Sequence, residues 1–172
     1  MKFGLSPHAP AKDRRVRRSR SALLEATVDL VPENGSAAVP LSEIAETADV
    51  SRQLVYQHFG DRDTLLLEAA VELLESELLP RLEGVGGTRE RALLVARHFA
   101  SHRGFYRAVC RSSAAFALNR ALTGLLLDAG REVVRHALGE DAEEREAEDL
   151  SLFLAGGGTA FVNTWVAEGE DP

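Results

Sequence analysis

Residues 41–59 read LSEIAETADVSRQLVYQHF, and this stretch decides the fold. Its first part carries apolar side chains at helical spacing, which predicts a short helix with one packed face. Its second part, from Ser51 onward, also predicts a helix, because its side chains divide into a polar and a packed side at about 100° per residue. Ala48, Asp49 and Val50 form the tight turn between them. Two short helices in this arrangement are typical of a helix-turn-helix, whose second helix enters the major groove of DNA.

The polar side of the second helix supplies the side chains that would touch DNA. Arg52 has a planar fork of donors that suits guanine O6 and N7, while Gln53 and Gln57 can pair with adenine. Val55 and Phe59 are assigned to packing. The competing interpretation is that the polar side chains form only a solvated surface.

Composition limits the classes of protein that fit. The chain has 172 residues, of which 45% are hydrophobic, so it suits one domain or a small head joined to a larger body. Its single cysteine excludes an internal disulfide framework and fits a reducing cytoplasm. Because the chain has neither a run of 18 apolar residues nor an apolar segment after its basic N-terminus, we expect no membrane span and no secretory signal.

Charge is unevenly distributed along the chain. The net charge is −7, yet residues 1–20 carry seven Lys or Arg and one Asp, whereas residues 63–172 carry a net −8. This contrast indicates that only one end of the molecule meets polyanions. Positive charges are unfavourable near the N-terminus of a helix, so contact with nearby phosphates would explain the arginines at the start of the first helix. The alternative is a basic face that is only solvated. These arginines are Arg14, Arg15, Arg17, Arg18 and Arg20.

The chain predicts helices throughout, so the expected fold class is all-α. Residues 1–12 have two prolines and no periodicity, and we expect a disordered basic arm there. A first helix is predicted at Asp13–Val31. Asp61 is a plausible N-cap for a long helix over Arg62–Leu79, which Pro80 ends. A Gly-rich loop at 83–88 follows, and further helices are predicted at 89–101, 104–111, 114–138 and 141–167.

The stretch PLSEIAETADVSRQLVYQHFGDRDTLL, residues 40–66, resembles the DNA-binding head of the tetracycline-repressor (TetR) family of bacterial transcriptional regulators. The shared pattern is I-A-x-x-A, a turn, V-S-x-x-x-[LV]-Y-x-H-F and a short link into a Leu-rich helix. The resemblance implies a three-helix DNA-binding head at 13–62 and a helical regulatory and dimerisation body at 63–172. The matching positions are Ile44, Ala45, Ala48, Val50, Ser51, Val55, Tyr56, His58, Phe59, Leu65 and Leu66.

The same resemblance implies roles for further residues of the head. Tyr56 and Arg62 would contact phosphates, and Ser42 would meet the backbone or a base edge. His58 would either contact a phosphate or pack beside Phe59. Since one head reads few base pairs, two heads of a homodimer would read a palindromic operator in double-stranded DNA. The full predicted DNA-contacting set is Ser42, Ser51, Arg52, Gln53, Tyr56, Gln57, His58 and Arg62.

In the body, the resemblance implies that the last two helices pair with their mates in a four-helix interface. The glycines at 156–158 each cost a helix up to about 1 kcal/mol relative to Ala, which close approach of two backbones would explain. The alternative is that the helix breaks there. The middle helices would enclose a pocket for an unknown small-molecule effector, whose binding moves the heads. Candidate lining residues are Phe99, His102, Phe105, Tyr106, Cys110, Phe116, Asn119, Asn163 and Trp165, of which about a third are expected to touch a ligand.

Catalysis is not indicated. The sequence shows no nucleophile motif, no phosphate loop after a strand and no metal-ligand spacing, so we expect neither an enzyme nor a cofactor or metal. Arg107 and Arg111 would lower the pKa of an exposed Cys110 and make it redox-sensitive, but we expect a buried, inert thiol.

The predicted function is a cytoplasmic, dimeric, ligand-responsive transcriptional regulator, a repressor in preference to an activator. The alternative is an all-helical small-molecule binding or interaction protein whose head does not read DNA. It is motivated by departures from the family pattern at Pro32, Ser36 and Asp49.

Overall fold

A computed structural model describes residues 11–139 and 143–169, and every regular element in these ranges is helical, which confirms the all-α prediction. Most of the predicted disordered arm, residues 1–12, lies outside the described residues; its last two residues belong to the first helix. A π-helical turn, Leu74–Leu78, joins the fourth and fifth helices. The helices are α1 (Ala11–Glu33), α2 (Leu41–Thr47), α3 (Arg52–Phe59), α4 (Arg62–Leu73), α5 (Leu79–Glu83), α6 (Thr88–Ser101), α7 (Arg103–Cys110), α8 (Ala115–Leu138) and α9 (Glu144–Glu168).

Helices α1, α2 and α3 form the head and pack on α4. The apolar side chains that the periodicity assigns to one face of each helix meet in a shared core, in which Leu23, Ile44, Val55 and Leu65 are almost completely buried. Apolar burial of this kind is the main stabilising contribution to such a small bundle. The head is therefore seated on the helix that continues into the body.

The predicted end of the long helix at Pro80 is wrong. The chain remains helical through Pro80 to Glu83, because the π-helical turn precedes the proline and α5 begins afresh at Leu79. Pro80 thus falls in the first turn of α5, where its missing N–H leaves no hydrogen bond unmade. The position of Pro80 in the sequence predicts the end of a helix. The change from α-helical to π-helical pitch before it lets the chain stay helical instead.

Helices α8 and α9 form an antiparallel pair in the body. Thr123 Oγ1 donates to Thr159 Oγ1 over 3.3 Å, and Asn163 Nδ2 lies 3.5 Å from Asn119 Oδ1, so the two helices run in opposite directions side by side. The glycines at 156–158 lie within an unbroken α9, so the alternative of a helix break there is wrong. The predicted start of this helix at Asp141 lies outside the described residues, and α9 begins at Glu144.

Three arginines bind the C-terminal end of α9, two from α7 and one, Arg111, that directly follows α7. They are spaced four residues apart and donate to main-chain carbonyls: Arg103 to Trp165 O, Arg107 to Val166 O and Arg111 to Ala167 O. The last carbonyls of a helix have no partner within the helix and carry partial negative charge, so cationic donors suit them. This contact fastens α9 to the middle of the body.

Candidate nucleic-acid interface

The turn between α2 and α3 fixes the angle at which α3 is presented. Asp49 has φ 52°, the left-handed conformation that Gly prefers and Asp tolerates. The N–H of Val50 donates to Ala45 O over 2.9 Å and that of Asp49 to Glu46 O over 3.0 Å. These two bonds form a Schellman motif, which satisfies the last carbonyls of α2. Asp49 therefore performs the task for which the family pattern has Gly.

Helix α3 has one packed and one open face, as the sequence predicts. Val55 is 1% and Phe59 4% exposed, and both contribute to the core. The opposite face is open to solvent and carries the four side chains predicted to approach bases and phosphates. These exposed residues are Arg52, Gln53, Tyr56 and Gln57.

Arg52 and Tyr56 contact each other on this open face. Arg52 Nη2 donates to the Tyr56 hydroxyl over 3.0 Å, and the guanidinium carbon lies 5.6 Å from the centre of the ring. Stacking of this kind orients the guanidinium, while exposure leaves most of its donors available. The pair presents a cationic fork beside a phenol, a combination that suits a base edge next to a phosphate.

His58 is half-buried and faces α1. Its Nε2 lies 3.0 Å from Ser19 Oγ. Since the Ser19 hydroxyl donates to Val16 O over 3.0 Å, it is left to accept from the Nε2–H of His58. Of the two roles predicted for His58, phosphate contact or packing, this contact agrees with packing. It also joins α3 to α1.

The remaining predicted DNA-contacting residues lie on the rim of the head. Ser42 and Ser51 are exposed, at the starts of α2 and α3. Arg62, the first residue of α4, is half-buried, and its Nε makes no hydrogen bond within the described residues. Arg62 borders a cavity of about 730 Å³ together with Ser36 and Arg111. A phosphate contact by Arg62 stays a prediction.

The basic start of α1 divides into two groups. Arg20 is already engaged within the protein, because its Nη2 lies 2.6 Å from Glu68 and its Nη1 3.7 Å from Glu72, both on α4. It therefore links the head to α4 instead of standing free for phosphates. The other four arginines are exposed and remain candidates for phosphate contact: Arg14, Arg15, Arg17 and Arg18.

The predicted N-cap of α4 is confirmed. Asp61 accepts a hydrogen bond from the Thr64 N–H over 2.8 Å. This bond lowers the pKa of the Asp61 carboxyl, because it stabilises the ionised form. The cap determines where α4 begins, directly after the recognition helix.

The sequence of this head matches a family of known proteins. Residues 23–69 match the family model of bacterial regulatory proteins of the tetR family. The head thus matches a tetR-family DNA-binding domain in sequence. The match takes in α2 and α3 completely, together with the latter part of α1 and most of α4.

Curated relatives of this head are named as regulators. BetI of Rhizobium meliloti (strain 1021), an HTH-type transcriptional regulator, is 32% identical over 45% of this chain and 40% of its own length. HbdR of Aromatoleum sp. (strain CIB) is 33% identical over 44% of this chain and 34% of its own length. The HTH-type transcriptional repressor Rv3405c of Mycobacterium tuberculosis (strain ATCC 25618 / H37Rv) is 39% identical over 33% of each chain. The matched part of the chain thus spans less than half the length of these relatives. Their names describe regulators, which agrees with the expectation that this chain is not an enzyme.

A solved structure extends the likeness of fold to the body. The dihydroxyacetone kinase operon activator DhaS superposes with a TM-score of 0.56 and covers 89% of this chain and 86% of its own. The identity is 16%, so the likeness concerns the fold alone. A helix-turn-helix head on an all-α body is therefore the architecture of this chain.

A largely apolar cavity of about 530 Å³ lies among α5, α6, α8 and α9. Its size lies within the usual range for sites that bind small organic molecules. Trp165 is the only one of the nine predicted ligand-contacting residues among those described along its wall. Its other lining side chains include Leu82, Arg91, Val95, Val134, Phe161 and Val162.

The other eight predicted ligand-contacting residues lie elsewhere. Phe99, Phe105 and Tyr106 are at most 2% exposed and pack in the core, whereas Phe116 is 76% exposed. The four others contact polar side chains of neighbouring helices: His102, Cys110, Asn119 and Asn163.

Cys110 has the environment of an inert thiol. Burial raises its pKa, and its Sγ lies 3.8 Å from Asn163 Oδ1. Arg107 and Arg111, the neighbours that would lower the pKa of an exposed thiol, donate instead to carbonyls of α9. The thiolate that redox chemistry requires is therefore disfavoured.

Sequence reasoning missed one group of polar side chains in the body, formed by Glu77, His98 and His102. The two histidines are four residues apart, His98 in the last turn of α6 and His102 directly after its end, and this spacing is visible in the sequence. Glu77 reaches them from the π-helical turn. Burial lowers the pKa of His98 to about 4, and neighbouring His102 adds to the effect.

Proposed function

We propose that the chain is a homodimeric transcriptional regulator that binds a palindromic DNA operator and is released from it by a small molecule. The exposed polar face of α3 carries this proposal, since it stands on a packed helix-turn-helix with its turn fully formed. A repressor fits this scheme better than an activator, because release by an effector then switches transcription on. Such a protein works in the cytoplasm, where it meets the chromosome.

On DNA, α3 would lie in the major groove and divide the contacts between bases and backbone. Arg52, Gln53 and Gln57 would read base edges, and Tyr56 would hold a phosphate. The exposed arginines of α1 would add contacts that are independent of sequence and sensitive to salt. The strongly basic start of a chain with net charge −7 thereby gains a function.

The dimer would form through α8 and α9. Large apolar side chains on these helices face solvent, including Phe116 at 76%, Phe153 at 75% and Phe161 at 74% exposed. Exposed apolar surface of this extent marks an interaction site. The glycines at 156–158 lie on the same helix, where a Cβ would meet nothing within 4 Å in this chain, so a second backbone has room to approach.

Helix α9 also has the length and mean hydropathy of a membrane span, and 28% of its most apolar window is buried. Its contacts argue for a protein partner instead. Arg103, Arg107 and Arg111 donate to its C-terminal carbonyls, and three charged donors there are costly within a lipid core. A second copy of the chain would cover the apolar face of α9 and leave the arginines at its C-terminal end outside a lipid core.

The effector would occupy the cavity of about 530 Å³ among α5, α6, α8 and α9. Its predominantly apolar wall suits an organic molecule with a large apolar part. For release, the effector must bind one spacing of the two heads better than the other. The path to the head runs from α5 through the π-helical turn to α4, which Arg20 links to α1.

The alternative, a helical binding protein that does not read DNA, would be favoured by a blocked recognition face. The described face is open instead. Of the departures that motivated the alternative, Asp49 adopts the conformation that the turn requires, and Pro32 is accommodated at the end of α1.

The test is fluorescence anisotropy of the purified full chain with duplex DNA from upstream of its own coding sequence, titrated at several salt concentrations. We expect a salt-sensitive complex that prefers this DNA to a scrambled duplex, and a weaker, less selective complex for Arg52→Ala. Arg89→Ala is the matched control, since Arg89 is also exposed but lies at the start of α6. Equal binding of both duplexes by the wild type would overturn the proposal.

A further inference from the structure

Glu77, His98 and His102 bring three potential ligand atoms together within 4.8 Å of one another. Glu77 Oε2 lies 2.7 Å from His102 Nε2 and 3.7 Å from His98 Nδ1. His98 lies in the last turn of α6, and His102 is the turn residue that directly follows this helix, with its N–H donating to His98 O over 3.2 Å. This bond continues the helical spacing, so the two side chains lie on the same side, which is a recurring way to hold a transition metal. The third group comes from a different segment, so the three side chains converge from two sides.

The π-helical turn is what brings Glu77 to α6. Five residues, Leu74–Leu78, form this turn, and its apolar ends Leu74 and Leu78 are 2% exposed. The insertion rotates the residues in between relative to a regular α-helix, and such turns are frequent at functional sites. Glu77 is thereby held between two buried anchors with its carboxylate directed at the histidines.

The second ring nitrogen of His98 is held by a buried tyrosine. His98 Nε2 lies 2.9 Å from the Tyr106 hydroxyl, which donates to Ala70 O over 3.4 Å. With its proton directed at Ala70, the hydroxyl accepts from the Nε2–H of His98, so the unprotonated Nδ1 faces Glu77. A lone pair then faces a carboxylate across 3.7 Å, an arrangement that a cation between them would stabilise.

We propose that Glu77, His98 and His102 form a binding site for one divalent transition-metal ion of the zinc type. Two imidazoles and one carboxylate are ligands that Zn²⁺ accepts, with solvent or an effector group in the fourth position. At bond lengths of about 2.0 Å, tetrahedral ligand atoms lie about 3.3 Å apart, between the two distances found here. Small side-chain rotations therefore suffice to admit the ion. Tyr106 supplies the outer hydrogen bond that fixes the orientation of a metal-bound histidine.

The site has an open side. The side chain of His98 is 3% exposed, whereas those of His102 and Glu77 are 21% and 39% exposed. An ion can therefore enter from solvent past Glu77, while His98 forms the floor. Such an ion would tie the π-helical turn to α6, and the turn is continuous with α4, on which the head is seated. The effect of the ion on DNA release rests on the proposed function, whereas binding of the ion does not.

The test is a titration of the full, tag-free, chelator-treated chain with Co²⁺, followed by its visible absorption, and then displacement by Zn²⁺. We expect one ion per chain and an absorption band typical of tetrahedral Co²⁺. Glu77→Gln and His102→Asn should each weaken binding by at least about 10-fold, and Tyr106→Phe should weaken it by about 10-fold as well. His136→Asn is the matched control, since His136 is exposed on α8 outside the group, and it should bind as the wild type does.

Failure to bind Co²⁺ or Zn²⁺ would overturn the metal site and leave the Glu77–His102 contact as an ordinary hydrogen bond. Equal affinity in the wild type, Glu77→Gln and His102→Asn would also overturn it, provided that circular dichroism shows all three to be folded. Operator binding measured in parallel, with and without Zn²⁺, separates the two proposals. Metal binding without any DNA binding contradicts the proposed function and leaves the site standing; DNA binding without metal binding does the reverse.

Discussion

The head and the body of this chain differ in how closely function follows local sequence. In the head, the residues predicted to face the DNA groove occupy consecutive turns of a single helix, and each is positioned by neighbours within about one helical turn. In the body, the apolar cavity and the Glu77–His98–His102 group draw on helices that lie far apart in the sequence. A short motif is therefore enough to predict a candidate nucleic-acid surface, whereas a candidate effector surface depends on how separate helices pack.

The largest expected effect is a difference in stability between substitutions on the packed face and on the open face of α3. Phe59→Ala removes a side chain that is 4% exposed, and we expect a loss of about 3–5 kcal/mol in the free energy of unfolding, because a cavity remains in the core. Tyr56→Ala is the control on the open face, with 45% exposure, and should change stability by less than about 1 kcal/mol. Urea denaturation measures both. Similar losses for the two variants would contradict the assignment of faces.

In the body, Arg103→Met should lower the free energy of unfolding by about 1.5–3 kcal/mol, because Arg103 donates a charge-assisted hydrogen bond to Trp165 O. Arg97→Met is the matched control on the exposed face of α6 and should be nearly neutral. Thermal denaturation followed by circular dichroism compares them. If Arg103→Met is as stable as the control, Arg103 does not secure the end of α9.

Substitution of Arg52 should weaken DNA binding without lowering the stability of the fold. Arg52→Ala should cost about 1–3 kcal/mol of operator binding and relax selectivity at one base pair, because a bidentate contact to a base is lost. Its melting temperature should stay that of the wild type, since the side chain is exposed. Anisotropy titrations against single-base variants of the operator identify the base pair. Uniform weakening against every variant would assign Arg52 to a phosphate instead.

The smallest effect concerns the junction of the two regions. Asp61→Ala removes the N-cap of α4 and should cost about 1 kcal/mol of stability at neutral pH, whereas Asp128→Ala, at an exposed position of α8, should cost little. The hydrogen bond from Thr64 lowers the pKa of Asp61 in the folded state. Its stabilisation is therefore present above the unfolded-state pKa and is lost as the pH falls through the folded-state pKa. The gap between the two variants should close in acid, as measured by denaturation at several pH values; a gap independent of pH would contradict the role of the cap.

Much of the head could be predicted from sequence because its determinants are local. The turn at Asp49, the N-cap at Asp61 and the division of α3 into two faces all depend on residues within a few positions of one another. The end of the long helix at Pro80 could not be predicted in this way. In a regular α-helix a proline removes one hydrogen bond and clashes with the carbonyl four residues earlier, but here a π-helical turn precedes Pro80 and the chain stays helical.

The effector region could not be predicted at the level of residues. Aromatic residues at helical spacing, such as Phe99 and Phe105, are indistinguishable in sequence from cavity-lining ones, and packing places them in the core. The spacing of His98 and His102 is visible in the sequence, but their contact with Glu77 depends on the loop that turns α6 back onto the π-helical turn.

The central claim is that the open face of α3 reads a DNA sequence. The most direct measurement is the ratio of affinities of the full chain for its upstream palindrome and for a scrambled duplex of equal length, at one physiological salt concentration. We expect a ratio of at least about 10³ for the wild type and a clearly smaller one for Arg52→Ala. A ratio near one for the wild type would contradict it, because the exposed arginines of α1 alone would then account for any binding.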